Sequence, residues 1–307
     1  MSTIAKPNKN TKIKLMKTDY AFLAFDLLVM SIVFIVILYP LLYVISCSFS
    51  GGKMVGGGLS LIPLQTTLEG YTAVIEDASV WRGYGNSLIY TVCGTALALL
   101  VTTLCAYPLS RPKFKNGKYM MLLCVFTMYF SGGLIPFYLV VKNLNLVNSR
   151  FLMIITGCAS VYNMIIIRSF FTTSMPVELY EAASIDGCTN QRYFFAIVLP
   201  LSKAIIAVIA LYNIVAQWNS YFNAMIFLSD RSKYPLQLFL REILLSAQTY
   251  SDPSVSGGDA VAAAQMEIMG EVIKYGVIVV STLPVIVIYP FLQKYFVQGV
   301  MIGSIKG

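Results

Sequence analysis

Two groups of residues in this chain have types and spacings that could do chemistry. The first, Glu178, Glu181, Asp186 and Gly187, lies in a polar stretch from Pro176 to Pro200 set between hydrophobic blocks. A short helix with small side chains allows close approach to a partner groove, and the early acidic residues favour the helix's positive end. The second, Tyr212, Asn213, Gln217, Asn219, Ser220 and Asn223, interrupts an otherwise apolar block. Amides exchange hydrogen bonds with hydroxyl groups and an aromatic ring can stack, so this set suits a polar, uncharged, hydroxyl-rich solute. Neither group resembles a catalytic centre. The chain has 0 histidines, and its 6 cysteines are scattered singly without a C-x-x-C pair, so imidazole chemistry is excluded and no disulfide framework is implied.

The elements that must position these groups are membrane spans. With 57% hydrophobic and 12% charged residues, the chain is too apolar for an ordinary soluble domain, where roughly 25% charge is usual. Six apolar blocks approach the run of about 20 residues that crosses a bilayer: Tyr20–Ser46, Ser87–Pro108, Tyr119–Val141, Phe151–Ile167, Ala204–Leu228 and Tyr275–Gln293. Asp26 is the only charged residue inside them, and reads as a near-interface charge rather than a proton relay. The expected fold is an all-α integral membrane protein with six transmembrane helices.

Lysine and arginine set the expected orientation. With the N-terminus inside, fourteen fall on inner segments and eight on outer ones, and the N-terminal tail alone carries five. This bias places both termini in the cytoplasm. The net charge of +8 then speaks to topology and to anionic lipid headgroups; basic residues beside spans without interleaved aromatics do not suggest nucleic acid. The expected organisation is a basic tail at 1–19, a first span at 20–46, a core at 82–297 with a cytoplasmic insert at 172–200 and an external loop at 229–274, and a cytoplasmic tail at 298–307.

Local signals refine the elements. Leu68–Asp77 could form a short surface helix. Gly132, Gly133 and Pro136 loosen the third span and Pro284 and Pro290 the sixth. In the insert, Pro176 suits the first helical position, Glu178 and Glu181 favour the positive helix end, and Asp186-Gly187 stops the helix with glycine in the left-handed cap. Thr189 can cap a second short helix before Pro200. At 100° per residue, the polar set of the fifth span covers an arc of about 160°, with Trp218 pointing away. Two readings of that face stand side by side, a solute lining and a glue between helices. The insert likewise reads either as a docking element or as an unpartnered interfacial helix.

A resemblance decides between the last two. Glu181-Ala182-Ala183, three residues, Gly187, nine residues, Ile197, one residue, Leu199-Pro200 resembles the EAA signature of binding-protein-dependent ABC importer permeases, with Cys188 where the carbohydrate branch usually has alanine. Asn86-Ser87-Leu88, Ala106 through Arg111, Gln217 through Phe222, Tyr234 through Gln237 and the ending from Tyr289 are similar to that carbohydrate-uptake branch, and specifically to the second permease of oligosaccharide importers, over roughly residues 20–307. The resemblance implies a type I importer permease fold in a bacterial plasma membrane. Its coupling helix would carry Glu181, Ala182, Ala183, Asp186 and Gly187 with Leu199 and Pro200 behind, seated in an ATPase cleft. The partners implied are a second homologous permease, two ATPase subunits, an extracellular solute-binding lipoprotein facing the external loop and Ser256-Gly257-Gly258, and a carbohydrate. ATP and magnesium would sit in the ATPase, with no cofactor here, and the C-terminal tail would reach toward the ATPase interface. The alternative, a secondary transporter of a small polar solute, lacks the intramembrane carboxylates or histidines that coupling requires. An integral-membrane enzyme lacks paired carboxylates and metal-spaced cysteines.

Overall fold

A backbone in hydrocarbon satisfies its own N–H and C=O groups only in helices or closed barrels, and the apolar blocks of this chain fold as helices. The computed structural model describes residues 16–50, 66–250 and 272–290, with single positions at 270 and 293. Extended pairing among the described residues is limited to an isolated bridge between Ser50 and Thr66. Most of the basic tail, the glycine-rich start of the first outer segment, Ser256-Gly257-Gly258 and the tail at 298–307 lie outside the described residues.

Among the described residues, three helices are long and apolar enough to cross a bilayer, α1 (Lys17–Ser48), α3 (Ala78–Ser110) and α14 (Val272–Pro290), and up to five spans result if each of two bent helix pairs is one span. Between α1 and α3 lies the short surface helix α2 (Glu69–Glu76), where the sequence suggests one. The third block is a bent pair. Helices α4 (Gly117–Tyr129) and α5 (Leu134–Asn143) meet at 111°, because Gly133 takes φ +86 at the corner, a conformation open to glycine at little cost. The fourth block is divided into α6 (Arg150–Ile155) and α7 (Val161–Ser174). Here Gly157 adopts φ +85 and the Ser160 hydroxyl accepts the Asn163 N–H at 3.3 Å to start α7. Six unbroken spans are therefore not what the described residues form.

The insert follows α7 as α8 (Val177–Ile185), α9 (Asn190–Tyr193) and, after a wide π turn over Phe194–Val198, the single turn α10 (Leu199–Leu201). Pro200 would strike the carbonyl four residues back in a regular helix; widening the preceding turn relieves that crowding. The chain then bends by 78° at Ser202 into α11 (Lys203–Trp218). The fifth block does not continue as one helix to Leu228. It stops at Trp218 and resumes as α12 (Phe222–Phe227), because Asn219 and Ser220 are poor helix interiors and close the turn with backbone bonds to Val215 and Gln217. The segment expected to be an external loop at 229–274 is not loose at its start: it forms α13 (Leu236–Tyr250), with Leu236, Leu238, Phe239 and Leu240 buried.

Helix α3 is the hub, packed against α6, α7, α11 and α13. Its buried face is built from small and hydroxyl-bearing residues, among them Ser87, Thr91, Gly94, Thr95, Ala98 and Thr102. Where lipid removes the hydrophobic drive between helices, such residues let backbones approach closely. A Cβ on Gly94 would lie 2.3 Å from Gln217 Nε2, so α11 sits against α3 at this point. By contrast α1 buries only Ser46, Cys47 and Ser48, and Asp26 lies on its exposed length.

Gly94→Val should push Gln217 aside and destabilise the bundle by about 1–3 kcal/mol, seen as a lower melting temperature in detergent. Gly85→Ala, where an added Cβ meets nothing within 4 Å, should instead stabilise α3 by about 0.5–1 kcal/mol.

Candidate functional site

The polar insert stands at the end of the bundle where α3 finishes. Pro176 is the N-cap of α8 with φ −58 and ψ 146, one position earlier than the first helical residue the sequence suggests. At the other end the Gly187 N–H donates to Ser184 O at 3.1 Å and the Cys188 N–H to Ala183 O at 2.9 Å. With Gly187 at φ +73, this is a complete Schellman cap. Thr189 caps α9, its hydroxyl accepting the Arg192 N–H at 3.3 Å.

Helix α8 shows two faces. Ala183 is buried, and Leu179 and Tyr180 pack partly against a cluster that includes Ile167, Phe171, Phe194 and Ile209. Glu178, Glu181, Ala182, Asp186 and Gly187 are exposed, and Ile185 is 87% exposed. This face thus presents a large aliphatic side chain beside carboxylates and an alanine. Leu199 and Pro200 lie on the turn just before the 78° bend, where Val198 is fully buried.

Beneath α8 lies a group of residues that the sequence did not single out. The Arg111 guanidinium stands 4.6 Å from the Tyr107 ring centre, 4.9 Å from Tyr193 and 5.3 Å from Tyr180. Lys113 Nζ lies 5.5 Å from the outer side of the same arrangement, over Tyr180. Each such contact contributes about 0.5–2 kcal/mol, more as water is excluded. The Tyr180 and Tyr193 rings meet edge to face at 5.2 Å, and the Tyr180 hydroxyl donates to Asn190 Oδ1 at 2.9 Å. A cavity of about 430 Å³ opens beside them, walled by Arg111, Lys113, Phe114, Val177, Tyr180 and Glu181. Tyr107 and Arg111 lie in the stretch from Ala106 to Arg111 that resembles the carbohydrate branch, but nothing in the sequence ties them to Tyr180 and Tyr193.

The polar residues of α11 are separated rather than gathered. Gln217 turns inward and its Nε2 donates to Met153 O at 3.2 Å, tying α11 to α6. Asn213 is buried, and its Nδ2 donates to Ile209 O one turn back at 2.8 Å. Tyr212, Ala216 and Asn219 form an exposed stripe on the opposite side. Ser220 sits in the break, and Asn223 lines a shallow cavity with Phe137, Val140 and Leu152. A single 160° polar face does not exist, since the helix ends before it is complete. Trp218, away from that stripe, is buried and its indole N–H donates to Ser281 O at 3.0 Å.

At the far end of the bundle, the turn that follows α12 is fastened from three sides. Asn86 Nδ2 donates to Ser232 O at 2.8 Å and to Tyr234 O at 3.0 Å. The Tyr90 hydroxyl donates to Lys233 O at 2.8 Å, and Lys233 Nζ to Asn148 O at 2.9 Å. The Ser232 hydroxyl and N–H hold the Asp230 carboxyl below the usual carboxylate range. The segment that carries α13 thus leaves the bundle from a fixed base.

No family model matches the chain. It is 40% identical over 269 residues to Protein LplC of Bacillus subtilis, spanning 87% of this chain and 89% of that one. It is 39% identical over 270 residues to the polygalacturonan/rhamnogalacturonan transport system permease protein YtcP of the same organism, spanning 87% of this chain and 92% of the relative. Among solved structures, a bacterial ABC transporter involved in the import of the acidic polysaccharide alginate has a chain that superposes with a TM-score of 0.78 at 30% identity, over 92% of this chain and 99% of that one.

The left-handed cap makes a local test. Gly187→Val should cost about 1–2 kcal/mol at the end of α8, read as faster amide hydrogen exchange at Asp186 and Cys188 while exchange in α3 is unchanged.

Proposed function

The chain belongs to the permease subunits of ATP-driven ABC carbohydrate importers, and on that premise we propose that α8 is its coupling helix, carrying the motion of an ATPase into the spans. The observation that carries this reading is the exposed face of α8, where Ile185 stands 87% uncovered beside Glu181 and Ala182. The Schellman cap at Gly187 fixes where that face ends. In this reading Glu181 pairs with a basic residue of the ATPase, Ile185 fills an apolar hollow, and Asp186 and Gly187 shape the edge of the contact. ATP and magnesium belong to the ATPase, and this chain needs neither.

The rest of the assembly follows the same premise. The chain crosses a bacterial plasma membrane with both termini inside, six crossings being made up from single helices and bent pairs, and it works as a heterodimer with a second permease. A binding lipoprotein delivers the solute to the outer side, where α13 and the fastened turn at 229–235 form the receiving surface. The exposed stripe of Tyr212, Ala216 and Asn219, with Ser220 and Asn223 beyond it, lines the passage. Asn213 and Gln217 hold the spans together behind it. The solute is an oligosaccharide. YtcP, at 39% identity, is named for polygalacturonan and rhamnogalacturonan, and the superposed transporter imports the acidic polysaccharide alginate, whereas relatives at 25–29% identity are named for arabino- and galactooligosaccharides. The higher similarity favours a fragment of a plant or acidic polysaccharide.

Glu181→Lys should abolish co-purification of the ATPase from membranes while the chain still inserts. Full recovery of the ATPase would remove the docking role. Ile185→Ser should weaken the same association by about tenfold or more, because burying one aliphatic side chain contributes about 1.5–3 kcal/mol. In uptake assays with an oligogalacturonide, Asn219→Leu should raise KM or alter the preferred chain length, whereas Gln217→Leu should lower thermal stability with KM little changed. Identical kinetics for Asn219→Leu and the parent would take Asn219 out of the passage.

A further inference from the structure

Helix α8 has a slender hold on the spans it would move. Among its nine residues only Ala183 is buried, and apolar contact of that kind is non-directional, resisting separation better than it resists sliding or tilting. A second connection is needed if a push on α8 is to turn the bundle. Arg111 occupies the place for one. It follows the last residue of α3, and its guanidinium stands against rings contributed by three different elements: Tyr107 of α3 at 4.6 Å, Tyr180 of α8 at 5.3 Å and Tyr193 of α9 at 4.9 Å.

The chemistry of this contact is unusual in one respect. Arg111 Nε and Nη2 and the hydroxyls of Tyr107 and Tyr193 are buried without a partner in good hydrogen-bonding geometry, although the guanidinium still interacts with the Tyr107 hydroxyl. Buried donors of this kind are expensive and rare, and a carboxylate neighbour would be the ordinary remedy. The cluster supplies aromatic faces in its place. A plane of charge over several ring faces keeps its attraction only while the rings hold their angles, and a guanidinium is better suited to that than an ammonium. On the other flank Arg168 Nε of α7 donates to Leu109 O at 2.9 Å, so the end of α3 is itself held to the bundle. The result is a path from α8 through three rings and one cation to α3, the helix on which α7, α11 and α13 pack.

We propose that Arg111 is a positioning residue of the coupling step: by stacking on Tyr180, Tyr193 and Tyr107 it locks the angle between α8 and α3, so that displacement of α8 by the ATPase becomes rotation of the spans. This rests on the coupling-helix reading above. Losing the cation leaves α8 attached, through Ala183 and Leu179, and still able to dock. What fails is transmission. ATP hydrolysis and solute passage come apart, because α8 moves without carrying α3.

The test uses the complete importer in membrane vesicles, with Asn219→Cys in this chain as a reporter of the outward-open state. Labelling from outside by a membrane-impermeant maleimide is read at that peptide by mass spectrometry, with and without ATP and vanadate. In the Arg111 parent, nucleotide should raise labelling. In Arg111→Met, the ATPase should still co-purify and hydrolyse ATP, but the nucleotide-dependent rise should shrink by at least about fivefold. Arg111→Lys should restore part of it, and Tyr193→Phe, which keeps the ring and removes an unpartnered hydroxyl, should behave as the parent. Should Arg111→Met fail to assemble, Tyr180→Leu removes one ring from the outer side of the cluster and is expected to give the same separation. An undiminished rise in Arg111→Met, or losses of labelling, hydrolysis and co-purification in equal proportion, would overturn the proposal. In the same vesicles, a Glu181→Lys chain that keeps both its ATPase and the full nucleotide-dependent rise would overturn the coupling-helix reading, and the proposal with it.

Discussion

A helix of nine residues with a single buried side chain, Ala183, joins an exposed, acidic face to the apolar helices of the bundle. That constraint organises much of what surrounds it. A short helix cannot hold its own direction through propensity alone, so both ends are fixed by capping, with Pro176 before it and the Gly187 turn after it. Its orientation relative to the spans is set by stacking on Arg111 and by the cluster of Phe171, Tyr193, Phe194 and Ile209 below. The wide π turn and the bend at Ser202 then carry the chain from the docking region into α11 without an exposed loop that could absorb movement.

The bundle itself is built around close approach. Helix α3 offers glycine, alanine, serine and threonine on the side that meets its neighbours, and the glycine at 94 brings Gln217 against its backbone. The Thr91 and Thr95 hydroxyls on this face have no partner, but several larger polar groups around it are satisfied within the protein. Gln217 finds Met153 O on α6, Asn213 finds Ile209 O in its own helix, and Trp218 finds Ser281 O on α14. In a medium without water these bonds decide which face of a helix turns inward. They leave Tyr212 and Asn219 on the exposed side, where Asn219 Nδ2 donates to Val215 O and its Oδ1 accepts from Gln237.

Composition and hydrophobic blocks were enough to establish an all-helical membrane chain, and the spacing around Glu181 and Gly187 was enough to place the insert and its turn. Continuity of the helices was not readable from hydropathy. Gly133 and Gly157 with φ near +86 and +85 break apolar runs that look unbroken, because a hydropathy window averages over a corner of two or three residues. The fifth span misled for a related reason. A helical wheel drawn through Asn219 and Ser220 assumes a helix that the structure ends at Trp218. The aromatic enclosure of Arg111 was hidden because Tyr107, Tyr180 and Tyr193 are separated widely in sequence and meet only when the insert folds back on the end of α3. Likewise the helical character of Leu236–Tyr250 was obscured by its position in a segment read as an external loop.

The central claim is that this chain converts another subunit's work into the movement of its own spans. Uptake of an oligosaccharide into proteoliposomes measures that most directly, comparing vesicles that contain this chain alone with vesicles that contain the second permease, the ATPase and the binding protein as well. Accumulation that appears only in the full assembly and only with ATP inside the compartment facing α8 is the predicted result. Accumulation by the single chain, driven by an ion gradient and indifferent to ATP, would contradict it.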